Sequence, residues 1–90
     1  MTTYILDIET DTLNPSIIWC VVIRELHGNG FTLATKPEDL PVFFEEDRFV
    51  THNGVDFDIP VLNRLWKTDI QVKQIYDTLV MSRLFNPKRK

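Results

Sequence analysis

The sequence has 90 residues, 43% of them hydrophobic and 11% aromatic, a composition typical of one small globular domain rather than of a disordered chain. Its net charge of −3 argues against a protein that grips long duplex DNA through a basic face, although acids that hold metal ions could still act on nucleic acid. The sequence shows no secretory signal and no apolar run near the ~20 residues of a membrane helix, and the single cysteine, Cys20, excludes an internal disulfide.

The first predicted element is a strand, Tyr4–Thr10, because β-branched and aromatic residues alternate along it. Asp7 and Glu9 therefore share one face. The apolar residues point into a core on the other face: Tyr4, Leu6 and Ile8. Two neighbouring acids on a central strand are costly unless neutralised, most simply by a divalent cation such as Mg²⁺ or Mn²⁺. Taken alone, however, a D-x-E pair favours a plainer interpretation, an edge strand with two solvated carboxylates.

The following residues predict an antiparallel meander and then a helix. Residues 11–16 form a polar turn, and the apolar run Ile17–Leu26 predicts a strand buried on both faces or in the middle of a sheet. An Asn-Gly pair at 29–30 is a strong hairpin signal, after which Phe31–Thr35 returns as an antiparallel strand. Pro37–Asp47 predicts a short helix with an early proline.

The second half of the chain predicts strands alternating with helices. Arg48–Thr51 reads as a short strand. Helical spacing begins near Phe57–Ile59, because Pro60 fits only the first turn of a helix. Gln71–Tyr76 alternates as a last strand, and Asp77–Phe85 predicts a helix capped by its first residue.

This order, β-β-β-α-β-α-β-α, predicts an α/β domain. Three antiparallel strands lead into two strands joined by helical crossovers, which gives a mixed five-stranded sheet with helices packed on it. We expect the domain to span residues 1–86 and a basic tail to occupy residues 87–90.

A third carboxylate accompanies the pair on the first strand. Asp58 falls in the first turn of a predicted helix, where the helix dipole favours a negative charge. With Asp7 and Glu9 it would form a cage of three carboxylates, which can hold two divalent cations about 3.5–4 Å apart. Such a metal pair activates a water on one side of a phosphodiester and stabilises the leaving oxygen on the other.

Three segments resemble the DnaQ-like (DEDD) 3′–5′ exonucleases, whose fold is ribonuclease-H-like. Residues 7–10 (DIET) resemble the first motif of that family, and residues 52–58 (HNGVDFD) resemble the second. Residues 75–85 (IYDTLVMSRLF) resemble the strand-to-helix segment that follows. The likeness covers nearly all of the chain and is greatest to the N-terminal proofreading domains of phage family A DNA polymerases.

The resemblance implies roles for individual residues. Asp7 would bridge two Mg²⁺ or Mn²⁺ ions, Glu9 would hold the ion that activates water, and Asp58 would hold the ion that faces the leaving 3′-oxygen. Four further residues are implied to contact the nucleic acid: Thr10, Leu13, Asn53 and Phe57. Leu13 would pack on the terminal base, and Asn53 would support the second motif.

Other conspicuous residues have plainer interpretations. His52 is interpreted as structural rather than catalytic, because it ends a strand beside a motif that already has its ligands. Asp56 is interpreted as a solvated turn residue, and Asp77 as a helix cap rather than a metal ligand. Trp19 and Trp66 are interpreted as packing aromatics rather than base-stacking platforms.

The sequence departs from the family pattern at the third motif. These exonucleases need a Tyr or His that orients the attacking water, with a fourth carboxylate a few residues further on. Residues 78–90 contain no Tyr, His, Asp or Glu. We therefore expect a domain without the C-terminal helices of the family: a fragment, half of a split gene, or a shortened relative with another role.

Two functions are compatible with these features. The first is the N-terminal part of a metal-dependent 3′–5′ exonuclease for polymerase proofreading, acting on single-stranded DNA 3′ ends and inactive or weak until the missing C-terminal part supplies the third motif. The second is a non-catalytic exonuclease-like protein that binds a polymerase, a nuclease or nucleic acid. The expected location is the cytoplasm, that of a host cell if the protein is phage-encoded, with no membrane partner.

Missing helices would also leave apolar surface uncovered. In the family fold the C-terminal helices cover one side of the sheet, so their loss would expose residues in the runs Ile17–Ile23 and Leu79–Phe85. Monomers seldom leave such a patch open. We therefore expect a homo-oligomer or a docked partner chain.

Overall fold

The computed structural model describes residues 1–79 and residue 81. These residues include the helix α1 (Ile59–Trp66) and the strands β1 (Thr3–Thr10), β2 (Ile18–Glu25), β3 (Thr32–Ala34), β4 (Arg48–Thr51) and β5 (Ile75–Asp77). The strands form one sheet in the order β3-β2-β1-β4-β5. The predicted α/β class with a mixed five-stranded sheet is confirmed.

Strand β1 is central and joins the two halves of the sheet. It pairs antiparallel with β2, which pairs antiparallel with β3, so the predicted meander is confirmed. On its other side β1 pairs in parallel with β4, and β4 pairs in parallel with β5. Because β1 has neighbours on both sides, the interpretation of β1 as an edge strand is wrong, although its two acids are exposed as that interpretation expected.

The core lies between α1 and one face of the sheet. Alternate residues of β1 enter it, as predicted: Tyr4, Leu6 and Ile8. Phe49 of β4 is fully buried there, with its ring 5.6 Å from the Tyr4 ring and 4.9 Å from the Phe43 ring between centroids. The opposite face of the sheet, here called the outer face, carries the intervening residues of each strand.

The prediction of a helix over Pro37–Asp47 is wrong. Only Pro37–Asp39 forms a 3₁₀ turn, and the remainder is irregular. Pro41 could not donate within such a helix. The Asp47 carboxylate instead accepts the N–H groups of Thr2 at 2.8 Å and Phe44 at 2.9 Å, which draws the segment onto the start of β1. Of the two predicted crossovers, only the one from β4 to β5 is therefore helical.

Strand boundaries differ where local turns form. The loop between β2 and β3 spans residues 26–31, because the Gly28 N–H already bonds the Glu25 carbonyl at 3.0 Å. The last strand starts later than predicted, after a 3₁₀ turn at Val72–Gln74. The Gln74 amide holds this turn by donating to the carbonyls of Phe44 and Asp47.

The last predicted helix is described only at its start. Thr78, Leu79 and Met81 have helical backbone. The rest of the predicted helix and the tail at 87–90 lie outside the described residues. Within the part of the chain that the structure covers, no helix has both the length and the apolar character needed to cross a bilayer.

The turn after β4 is shaped by Asn53 and Gly54. Asn53 is left-handed, with φ 68° and ψ 27°, a conformation that asparagine tolerates better than most residues. Gly54 lies against Thr51 so closely that an added Cβ would be 2.5 Å from the Thr51 Cβ. One turn of π-helix, Gly54–Asp58, then leads directly into α1.

Replacing Gly54 by alanine should therefore destabilise the fold by about 2 kcal/mol or more, because the new methyl group overlaps Thr51. Urea denaturation measures the change. Gly30→Ala is the matched control, since a Cβ at that position meets nothing within 4 Å. Adding Thr51→Ala to Gly54→Ala should recover part of the loss. Equal effects of Gly54→Ala and Gly30→Ala would contradict this account of the turn.

Candidate functional site

Asp7 and Glu9 lie on the outer face near the end of β1, and both are exposed. Opposite them on β2 are Val22 and Cys20. The pairing then shifts by one residue, with Trp19 as the extra residue of β2. The two acids are thus held side by side by a strand that is fixed on both sides.

Asp58 lies where the π-helical turn meets α1, and it is only 5% exposed. It occupies the N-cap position of α1, yet its side chain makes no capping hydrogen bond. Its Oδ2 atom has no hydrogen-bond partner. Burial of an unpaired carboxylate oxygen is costly, which makes this atom a candidate contact for a bound ligand.

The carboxylates act on one another electrostatically. Burial first, and then the negative charges of Asp7, Asp77 and Glu9 in that order of strength, together raise the pKa of Asp58 to about 7. The fold therefore brings the three predicted carboxylates into one electrostatic environment, although the sequence places Asp58 about fifty residues from the other two. A bound cation would replace this repulsion by attraction.

The arrangement fits a hard cation by the type of its donors and by the unpaired Oδ2 atom of Asp58. Across residues 1–79 and 81, however, no three His, Cys, Asp or Glu side chains stand close enough together to ligate one ion as they are placed. Metal binding would thus require side-chain adjustment at Asp7 and Glu9. Both residues are exposed, and exposed side chains change rotamer readily.

The loop after β1 displays Leu13, whose side chain is 94% exposed. The Asp11 carboxylate closes this loop by accepting hydrogen bonds from the backbone N–H and the hydroxyl of Ser16. Arg64 of α1 donates to the Pro15 carbonyl at 2.6 Å and ties the loop to the helix. Leu13 is therefore presented by a loop that is closed by Asp11 and anchored to α1 by Arg64.

The other residues predicted to contact nucleic acid have varied surroundings. The Thr10 hydroxyl donates to the Thr12 carbonyl at 3.0 Å. Phe57 is half-buried against the core, and Asn53 forms the left-handed turn. Their contacts to nucleic acid, like that of Leu13, stay predictions.

The plainer interpretations of the two tryptophans, Asp56 and His52 have different outcomes. Trp66 packs against the core, whereas Trp19 is 62% exposed, so the packing interpretation of Trp19 is wrong. The extra residue in the β1–β2 pairing turns Trp19 away from the core. Asp56 is exposed as expected, and the Nδ1 atom of His52 lies 2.8 Å from the Thr78 hydroxyl.

Asp77 has a larger role than the sequence indicated. It caps the next segment, because its Oδ1 atom accepts the Leu79 N–H at 2.9 Å. It also accepts the N–H groups of Asn53 at 2.9 Å and Val55 at 3.0 Å, within the turn that leads to Asp58. The sequence indicated only the cap at the end of the last strand and gave no signal for the bonds to Asn53 and Val55.

No family model, curated protein or solved structure matches this chain. The function is therefore argued from the carboxylates and their surroundings.

Asp58 should make the stability of the metal-free chain depend on pH. Its pKa is raised in the fold from the ordinary 3.8 to about 7, so its contribution to stability is full below pH 3.8 and is lost as the pH rises through 7. We expect the free energy of unfolding, measured with urea in EDTA, to fall from about pH 4 to about pH 7 and to level off above pH 7. Asp58→Asn should remove most of that fall.

All titratable groups other than Asp58 are present in both proteins, so the comparison isolates the contribution of Asp58. An equal fall in the parent and in Asp58→Asn would show that Asp58 is not the group responsible.

Proposed function

We propose that this chain is the metal-binding N-terminal part of a DnaQ-like (DEDD) 3′–5′ exonuclease domain that acts on single-stranded DNA 3′ ends in polymerase proofreading. The observation that carries the proposal is the buried, unpaired Oδ2 atom of Asp58 in the field of Asp7 and Glu9. The sheet order, with three antiparallel strands followed by two parallel ones, supports a ribonuclease-H-like fold without being diagnostic of it.

The three carboxylates would hold Mg²⁺ or Mn²⁺. Asp7 and Glu9 supply oxygen donors from the outer face of a central strand, and Asp58 supplies one from a helix start. When two such ions are bound, they supply an activated water and stabilise the leaving oxygen of a phosphodiester. The contribution of this chain is to hold and orient the donors on rigid elements.

Contact with the DNA end is proposed for the residues around these carboxylates. Leu13, displayed by its anchored loop, would pack on the face of the terminal base. Thr10, Asn53 and Phe57 would lie along the nucleotide. With a net charge of −3, the chain would depend on its bound cations for attraction to phosphate.

A second candidate function is favoured by a different observation. The outer face carries exposed apolar side chains in the described part of the chain, among them Leu33 and Tyr76. This favours a non-catalytic exonuclease-like protein that binds a polymerase, a nuclease or nucleic acid. The two functions differ in whether Asp7, Glu9 and Asp58 bind metal.

Metal binding should therefore depend on the carboxylates and not on acidity in general. We expect Mn²⁺ to bind the parent and, in NMR spectra, to broaden the amide resonances of Asp7, Glu9 and Asp58 first. Asp7→Ala should remove this binding in calorimetry. Asp56→Ala is the control, because Asp56 is an exposed acid only two residues from Asp58. Identical Mn²⁺ binding by the parent and Asp7→Ala would refute the proposed metal site.

Nuclease activity of these 90 residues alone should be very low. Residues 78–90 offer no Tyr or His to orient the attacking water, and loss of such alignment often costs about 10²-fold or more in rate. The assay is digestion of a 3′-labelled single strand in Mn²⁺. Rapid digestion that Glu9→Ala abolishes would mean that another residue orients the water.

A further inference from the structure

The carboxylate of Asp77 binds backbone from two separate parts of the chain. Asp77 is the last residue of β5 and is 4% exposed. Its Oδ1 atom accepts the N–H groups of Asn53 and Leu79, both at 2.9 Å, and its Oδ2 atom accepts that of Val55 at 3.0 Å. One buried side chain thus joins the turn after β4 to the backbone after β5.

The chemistry of these bonds requires a carboxylate. An ionised aspartate has only acceptors, and two oxygens are needed to satisfy three N–H groups that point at it from different directions. Asn53 is left-handed, and N–H groups around such a residue converge into a concave site for an anion. An asparagine at position 77 would offer one acceptor oxygen and would turn an NH₂ group toward at least one of these donors.

The turn held by Asp77 is the turn that places Asp58. Hydrogen bonds within the turn restrict its backbone: the Phe57 N–H donates to the Asn53 carbonyl, and the Ile59 N–H donates to the Gly54 carbonyl. Asp58 follows Val55 by three residues within this π-helical turn. Fixing the N–H groups of Asn53 and Val55 therefore fixes the direction from which Asp58 enters the site.

Asp77 is also linked through the sheet to β1, the strand that carries Asp7 and Glu9. Asp77 pairs with Thr51 of β4, and β4 pairs in turn with β1, on which Asp7 and Glu9 lie. Asp77 therefore has a fixed position relative to β1 through the sheet and relative to Asp58 through the turn.

We propose that Asp77 is a positioning residue, which sets Asp58 against Asp7 and Glu9 by binding the turn backbone. Its oxygens serve the N–H groups and do not ligate the metal. The part of this proposal that concerns metal affinity rests on the proposed function, whereas the part that concerns the placement of the turn stands without it.

The chain contains a matched control. Asp47 is also a buried carboxylate, 2% exposed, and it too accepts backbone N–H groups, those of Thr2 and Phe44. It lies just before β4, at the opposite end of that strand from Thr51. Asp47→Asn therefore removes the same kind of interaction at a distance from the carboxylate site, and it calibrates the effect of lost stability alone.

The experiment compares the parent, Asp77→Asn and Asp47→Asn as full chains. Urea denaturation at several temperatures first identifies one at which all three proteins are folded in the absence of urea. Mn²⁺ affinity is then measured by calorimetry, and NMR gives the amide shifts and hydrogen exchange of Asn53 and Val55. We expect Asp77→Asn to weaken Mn²⁺ binding by about 10-fold or more, as loss of a residue that orients ligands does, and Asp47→Asn to leave it unchanged.

Asp77→Asn should also speed the exchange of the Asn53 and Val55 amides and shift the Asp58 resonance. If the parent binds Mn²⁺ and Asp77→Asn binds it equally well, or if Asp47→Asn weakens binding as much, the positioning role is overturned. If the parent binds no Mn²⁺, the proposed function fails, and the NMR data decide on Asp77 alone. Unchanged amides at Asn53 and Val55 would then overturn the placement of the turn as well.

Discussion

The alternation of side chains along β1 is the constraint on which the rest of the structure depends. One set of residues fills the core against α1, and the other set puts Asp7 and Glu9 on the outer face. A slip of one residue in register would bury both acids and expose the core residues. Because β1 is paired on both sides, antiparallel to β2 and parallel to β4, such a slip would break two ladders at once. The position of the acids is thus enforced by core packing.

Elements with a strong local pattern could be predicted from the sequence. The alternation in β1, the boundaries of β4 and the early proline of α1 were sufficient because each element is specified by its own residues. The segment Pro37–Asp47 could not be predicted in this way. The helix propensity of this segment is outweighed by a hydrogen bond from the Thr2 N–H to the Asp47 carboxylate. These two residues are 45 positions apart in sequence. The start of β5 was misjudged for a similar reason, since Gln74 bonds the carbonyls of Phe44 and Asp47.

The carboxylates of the candidate site could be picked out from the sequence, whereas the contacts that hold them in place could not. Asp7 and Glu9 follow from a period-two pattern, and Asp58 follows from a helix start, so both signals are local. The burial of Asp58 and its unpaired oxygen depend on how the turn after β4 packs, which no local pattern encodes. The bonds from Asn53 and Val55 to Asp77 span 24 and 22 residues, and therefore a cap was all that the sequence indicated at position 77.

The parallel pairing of β1 with β4 has a consequence for the order of folding. The meander β1-β2-β3 is built from contacts that are close in sequence, whereas Tyr4 meets Phe49 only after a long loop has closed. Contacts of high sequence separation form slowly because the entropy of loop closure opposes them. We therefore expect the turn that carries Asp58 to dock after the meander has formed, so that the repulsion between Asp58 and the acids of β1 arises at this late stage. A cation bound by these carboxylates would relieve the repulsion and would therefore lower the rate of unfolding.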